Sequence, residues 1–327
     1  MRGPWLSCVL LALPFGAGAA DPPQADISNG SIRAKLYLPD ALAGYYRATR
    51  FDWSGVIAGL EWDGHTYFGK WFDRYDPKSN DSISGPVEEF QTNGSALGYD
   101  EAKAGETFVK IGVGALQKPD EPRYRQYSTY EIADNGKWTV SRGADWIEFA
   151  QELTAPSGYA YVYRKVVRLA KDKPVMTLEH SLKNTGRKPI ETSVYEHNFY
   201  MLDGQPTGPD VLVAFDFPVS ALADLRGLAE IRGSDLRFSR ELQRGDTVFS
   251  ELRGYGDSAK DYDIRVENRK TGAGVHQTGD RPISKLVFWS IRTTVCPEAY
   301  ITMRLEPGQE STWRIRYEFY ETSGKKQ

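Results

Sequence analysis

The chain has 327 residues, of which 40% are hydrophobic, 26% charged and 13% aromatic, with a formal net charge of −3. That balance excludes a disordered or collagen-like chain and offers no broad basic surface for nucleic acid. The 8 Trp, 19 Tyr and 14 Phe suit β-strands, and they also suit surfaces that stack on sugar rings.

Residues 1–20 read as a secretory signal peptide. Arg2 is a basic start, Trp5–Phe15 is a short apolar run broken at Pro14, and Ala17-Gly18-Ala19 supplies the small-residue cleavage signal. The run is too short to span a bilayer, and no later stretch is long and apolar enough, so no membrane insertion is expected. The alternative is a buried N-terminal strand or helix. Cys8 does not stand just before a mature start, which argues against a lipid anchor. The reading expects export to the periplasm or the exterior, with residues 21–327 as one domain; two smaller β domains are the alternative. Cleavage removes one of 41 basic residues and no acid, leaving 40 against 44, or −4. It also leaves Cys296 as the sole cysteine, so no internal disulfide is expected and the core alone must supply stability.

Asp21–Ala25 is a short, mobile mature N-terminus. Tyr45–Trp53 follows, with Arg47, Arg50, Asp52 and Trp53. These are the residue types that grip sugars, through hydrogen bonds to hydroxyls and an apolar ring against a sugar face. Trp71–Tyr75 and Gly85–Phe90, with Glu88 and Glu89, have the same character. An aromatic core with surface ion pairs is the competing reading of all three. His65 lies in a turn signal, Asp63-Gly64-His65.

Gly112-Val113-Gly114 lacks the third glycine and the βαβ setting of a dinucleotide site, and no phosphate loop or nucleophile elbow is present. Turn signals at Asp134-Asn135-Gly136, Pro156-Ser157-Gly158, Asn184-Thr185-Gly186 and Pro307-Gly308 punctuate runs of strict alternation. Tyr159, Tyr161 and Tyr163 share a face. So do Met176, Leu178, His180 and Leu182, and so do Trp313, Ile315, Tyr317 and Phe319. These predict half-buried strands of antiparallel sheets. Ser220–Leu228 is the one candidate short helix, weakened by Gly227. The fold class expected is all-β, a large antiparallel sandwich.

Two positions suit proton transfer. His197, in Tyr195-Glu196-His197-Asn198-Phe199-Tyr200, follows a strand and precedes a Gly/Pro-rich loop, where a near-neutral imidazole can donate a proton. A core histidine bonded to backbone is the alternative. Glu298 follows Cys296-Pro297 beside aromatics, where partial desolvation makes a better base; a surface glutamate after a proline is the alternative. His180 sits on an otherwise apolar strand face and His276 in a Gly-rich loop. No pair of the four histidines has zinc-ligand spacing on one helix, and no metal is expected.

Together these segments resemble the aldose 1-epimerase (galactose mutarotase) superfamily. Leu182-Lys183-Asn184-Thr185-Gly186, a strand, then Glu196–Leu202 is similar to its "N-T-G … N-H-x-Y-F-N-L" segment. Val295-Cys296-Pro297-Glu298 with Glu306-Pro307-Gly308 is similar to its late glutamate and turn, and Arg50-Phe51 to its early "N-R-I". The resemblance covers residues 30–320 in order. It implies a β-supersandwich with a sugar or oligosaccharide groove on one sheet, His197 as general acid, Glu298 as general base, and no metal or organic cofactor. It further implies Arg50 as a residue that binds sugar hydroxyls; Arg47, Trp53, Glu88 and Tyr200 are the other substrate-binding candidates, by residue type and position alone. The family's second histidine, in an "H-G-G" segment, has no counterpart here. The expected function is interconversion of sugar anomers by an exported protein. A non-catalytic carbohydrate-binding module on the same fold is the second reading, and a sugar lyase the third.

Overall fold

The computed structural model describes residues 21–322; residues 1–20, read above as a signal peptide, lie outside the described residues. Twenty-three strands and two single 3₁₀ turns, Leu202–Gly204 and Ala259–Asp261, account for the regular structure of these residues. The alternating runs read from the sequence are strands: Ala160–Leu169, Val175–Asn184 and Glu310–Glu321 lie side by side and antiparallel. Met176, Leu178, His180 and Leu182 face inward from the middle one, and Trp313, Ile315, Tyr317 and Phe319 from its neighbour. Period-two sequence therefore converts directly into a buried face, because successive side chains on a strand point to opposite sides.

These three strands form the middle of a ten-stranded sheet that runs from Ala229–Arg232 at one edge to Lys137–Arg142 at the other. A six-stranded sheet packs against it. Its order is Ser220–Ala221, Val248–Arg253, Lys285–Ile291, Thr294–Leu305, Ile190–His197 and Val87–Gln91, every pair antiparallel. A four-stranded sheet built from residues 24–68 and a three-stranded one from residues 107–134 complete the fold. One apolar cluster runs between the layers, from Ala25 to Phe319. Phe90 of the small sheet meets Tyr163 and Trp313 of the large one, with ring centroids 5.2 and 6.2 Å apart. Pairing in all the sheets is antiparallel and the faces pack sheet on sheet, as the sandwich expectation requires.

Three local expectations differ from what is seen. Asp21–Ala25 is not a free end: Gln24–Ser28 is a strand, and Ala25 is buried in the core. Ser220–Leu228 is not a helix: Ser220–Ala221 is a two-residue edge strand and the chain then turns at Arg226 and Gly227, both at positive φ. A helix cannot pass through two consecutive left-handed residues. His276 lies on a strand, Ala273–Gly279, and not in a loop. The turn signals all fall between strands, in two roles: Pro156-Ser157-Gly158 joins two paired strands of the large sheet, whereas Asn135-Gly136, Asn184-Thr185-Gly186 and Pro307-Gly308 carry the chain from one sheet to another.

Candidate active site on the six-stranded sheet

Register builds the site. In the six-stranded sheet Tyr195 pairs with Tyr300 on one side and with Glu89 on the other, and Lys285 pairs with Tyr300. Two residues along, the same face presents Val287 opposite Glu298, and His197 opposite Val87. A third row holds Phe249 opposite Trp289. The strands thus lay Lys285–Tyr300–Tyr195–Glu89 and Val287–Glu298–His197 side by side on the face turned away from the large sheet. That face floors a cleft of about 300 Å³, walled further by Arg50, Trp71, Phe199, Gln126 and Tyr127 from loops.

At its base His197 Nε2 stands 3.3 Å from Glu298 Oε1. The imidazole is held in an aromatic box. Phe199 stacks on it with centroids 3.8 Å apart and planes 10° apart, while Phe51 and Trp289 meet it edge-on at 5.5 and 5.4 Å. Burial dominates the electrostatics here. It pushes Glu298 up to about 8, against the pull of Arg50, and pushes His197 well below the usual imidazole range, with Arg50's charge adding to the effect. At neutral pH the pair is therefore a protonated carboxyl beside a neutral imidazole, carrying one proton to exchange.

Arg50 is clamped beside them. Its Nε donates to Glu89 Oε2 at 2.8 Å, Nη1 to Asp81 Oδ1 at 3.4 Å and Nη2 to the Tyr195 hydroxyl at 3.3 Å. The guanidinium lies between the rings of Phe51 and Tyr127, 4.4 and 4.9 Å from their centroids. Glu89 also accepts from Tyr195 at 2.5 Å and from Gln126 at 2.9 Å, with Lys110 at 3.4 Å. Burial opposes its ionisation, but Arg50 and Lys110 bring it down to about 2. A guanidinium has five N–H donors, so two remain to face the cleft. Arg50 also lowers Glu298. Removing that charge in Arg50→Gln is expected to move the alkaline limb of the pH–rate profile upward by about one pH unit, whereas Arg50→Lys keeps the limb in place. A pH titration of kcat/KM in the two variants checks this.

The structure thus brings His197, Glu298 and Arg50 together, with Phe199. It places the other sequence-derived binding residues elsewhere. Glu88 pairs with Glu196 one register position over, so both point to the opposite face, between the sheets. Tyr200 is also in the core, its hydroxyl donating to Gln277 at 2.8 Å. Trp53 is buried with its indole N–H on Ala48 O at 2.9 Å. Arg47 donates to Leu42 O and lines a separate surface cleft with Trp53. None of these four lines the cleft over His197 and Glu298.

Glu88 instead anchors a charged network in the core. Lys165 Nζ donates to its Oε2 at 2.5 Å and His180 Nε2 meets its Oε1 at 2.7 Å, with all three side chains fully buried. Asp52, bonded by Ser54 and by Tyr163 at 2.9 Å, lies close by, and Gly112 packs so tightly that a Cβ would stand 2.5 Å from its Oδ1. Burial opposes the charge of Lys165, but the Glu88 carboxylate beside it, which also accepts its hydrogen bond, holds it above the usual lysine range. Burial and Glu88 together push Asp52 up to about 8 and raise Glu196 well above the carboxylate range. Near neutral pH the network is one cation, one anion and neutral neighbours. Glu88, His180 and Glu196 also bring one ligand atom each within 4.8 Å of one another. The second oxygen of Glu88 is, however, held by an ammonium that already balances its charge.

No protein-family model matches the chain, and neither does any curated protein. Solved structures do. The Slr1438 protein of Synechocystis sp. PCC 6803 superposes with a TM-score of 0.57 at 10% identity, over 95% of this chain and 100% of that one. A galactose mutarotase related enzyme from Lactobacillus acidophilus gives 0.53 at 14%, over 93% and 100%. The fold is that of the galactose mutarotase-like proteins. An aldose epimerase homologue from C. elegans agrees, with 0.52 at 13% identity over 92% and 99%. Within this mutarotase-like fold the cleft over the six-stranded sheet is where the His197–Glu298 pair lies. Sequence reading named Glu89 only as part of the segment Gly85–Phe90, and did not single out Tyr300, Trp289 or Tyr127. Tyr300 was within reach, since it shares Glu298's face two residues on in a strand.

Proposed function

We propose that the chain binds a reducing sugar in this cleft and interconverts its anomers by general acid–base ring opening. The observation that carries the reading is the 3.3 Å separation of His197 Nε2 and Glu298 Oε1 at the base of an aromatic-walled cleft. Glycosidases keep their two carboxyl groups about 5 Å or more apart, on either side of a glycosidic bond. Groups this close instead serve two oxygens on the same carbon, which is the arrangement of a hemiacetal.

The resting protons set the direction. Glu298 holds its proton, so it donates to the ring oxygen while neutral His197 takes the proton of the anomeric hydroxyl. The C1–O5 bond breaks as the C1=O bond forms. Rotation about C1–C2 presents the other carbonyl face, and the O5 hydroxyl re-adds to C1. Glu298 then recovers its proton from O5 and His197 returns its own to O1, so the pair ends as it began. This exchanges the starting roles implied by the resemblance, because burial favours the neutral forms of both groups. Phe199, Trp289 and Trp71 present ring surface to the apolar side of a sugar, and Arg50, Gln126 and Lys285 present donors to its hydroxyls. The signal-peptide character of residues 1–20 supports action outside the cytoplasm.

Polarimetry of freshly dissolved α-anomers tests the reading. Equilibration is expected to accelerate in proportion to protein concentration for at least one aldose. The rate is expected to be flat through pH 6–7, since His197 gains a second proton only well below its usual range, and to fall above about 8 as Glu298 loses its proton. Buffer-level rates across a panel of aldoses would refute it.

A further inference from the structure

The cleft does not stop at the acid–base pair. Along the same face of the six-stranded sheet a second trough of about 450 Å³ opens, sharing Gln91, Lys285 and Tyr300 with the first. Its floor follows the same register. Ser193 pairs with Thr302 and with Gln91, and one row further Glu191 pairs with Arg304. From Glu298 to Arg304 is six residues of one strand, about 20 Å of floor. The two ends differ in chemistry. The outer trough is lined by hydroxyls and an amide, Ser193, Thr302, Ser284 and Asn93; beyond Lys285 at the junction, its charged residues close the far end, where Arg304 pairs with Glu191 and Glu306. At the cleft itself two aromatic side chains stand in solvent, Tyr127 71% and Phe249 57% exposed.

We infer that the groove takes an oligosaccharide by its reducing end, with the terminal ring over His197 and Glu298 and the next rings in the trough past Tyr300. The inference rests on the function proposed above and adds the substrate class. A single ring fills only the first cleft and leaves the hydroxyl-lined trough idle. A chain of rings uses both: its hydroxyl edges meet Ser193, Thr302 and Gln91, and Lys285, lying over Tyr300 at 5.0 Å, is placed to donate at the junction. Tyr127 and Phe249 offer flat apolar faces at the cleft mouth to the reducing-end unit.

The test is anomer-exchange kinetics by saturation-transfer NMR. Glucose, galactose, mannose and xylose are compared with their α-1,4- and β-1,4-linked trisaccharides. At least one trisaccharide is expected to show kcat/KM about tenfold above its monosaccharide, as a second set of hydrogen bonds is worth roughly 1.4 kcal/mol. Ser193→Tyr and, separately, Thr302→Tyr fill the trough and are expected to bring that ratio below about twofold. Exchange of monosaccharides with every trisaccharide equal or poorer overturns the inference, and so does a ratio that both substitutions leave intact. Calorimetric titration of Glu298→Gln with the same sugars separates the two claims. Tighter trisaccharide binding without exchange by the wild type upholds the groove and overturns the proposed reaction. Silence of every sugar in both measurements overturns both.

Discussion

Replacing Glu298 by glutamine is expected to slow anomer exchange by about 10²–10⁴-fold, the usual worth of a positioned acid or base, while making the folded protein more stable at pH 8. The two effects have one cause. Glu298 is buried, and the sheet register leaves it beside His197 with no hydrogen-bonding Lys or Arg among the described residues. Burial raises its carboxyl from 4.5 to about 8 in the folded state. A raised folded value means the native state holds a proton that the unfolded chain releases above pH 4.5. No cost therefore exists below the unfolded value. Stability is lost as pH rises from about 4.5 towards 8, and the loss is complete above it. Glutamine removes the titration, so the variant's advantage in Tm grows across that window and levels off beyond it. The full shift corresponds to a few kcal/mol, several degrees for a chain of this size. Thermal melts of both proteins at pH 5 and pH 9 check the sign. An equal gap at both pH values would show that Glu298 is ionised in the native protein.

The second large effect lies on the other face of the same strands. Glu88→Ala leaves Lys165 charged and without its 2.5 Å partner in a core where neither side chain is exposed. Breaking a buried pair by removing one member costs about 3–5 kcal/mol, so Tm is expected to fall by about 10 °C. The double substitution Glu88→Leu, Lys165→Met removes both charges and is expected to recover most of the loss. Equal destabilisation in the single and double variants would contradict the pairing. The network also explains why Glu88 turns into the space between the sheets while Glu89, equally buried, turns to the side of the cleft. On a strand, successive residues face opposite ways, so the dipeptide Glu88-Glu89 sends one carboxylate to Lys165 and the other to Arg50.

That dipeptide also marks the limit of what the sequence shows. The alternating runs at 159–163, 175–183 and 313–319 are legible because one face is almost wholly apolar; a short connection pairs the first with the second, whereas the third pairs with the second from far along the chain and leaves no local sign of it. The His197 and Glu298 segments are legible because residue types suited to proton transfer sit among aromatics, His197 at the end of its strand and Glu298 inside a longer one. Glu88 against Glu89 is not legible: Val87–Gln91 is buried on both faces, so no polar–apolar alternation reveals its parity. Tyr45–Trp53 is irregular and has no period at all. Its aromatic and basic residues look alike in sequence, yet Arg50 reaches the cleft while Trp53 closes onto Ala48 and Arg47 turns outward. Tyr127 and Gln126 sit in a long connection whose course depends on packing against Arg50 and Glu89, a tertiary matter. His180 is a core histidine as its apolar strand face suggests, but its partner Glu88 is distant in sequence and leaves no local trace.

The central claim is that His197 and Glu298 move protons on a hemiacetal. Saturation transfer between the H1 signals of the two anomers measures that event directly. Irradiating one anomer in the presence of the wild-type protein is expected to attenuate the other, for at least one reducing sugar, in proportion to protein concentration, and Glu298→Gln is expected to abolish the transfer. Transfer of the same size in the Glu298→Gln variant, or none above buffer with the wild type for any sugar, would contradict the account.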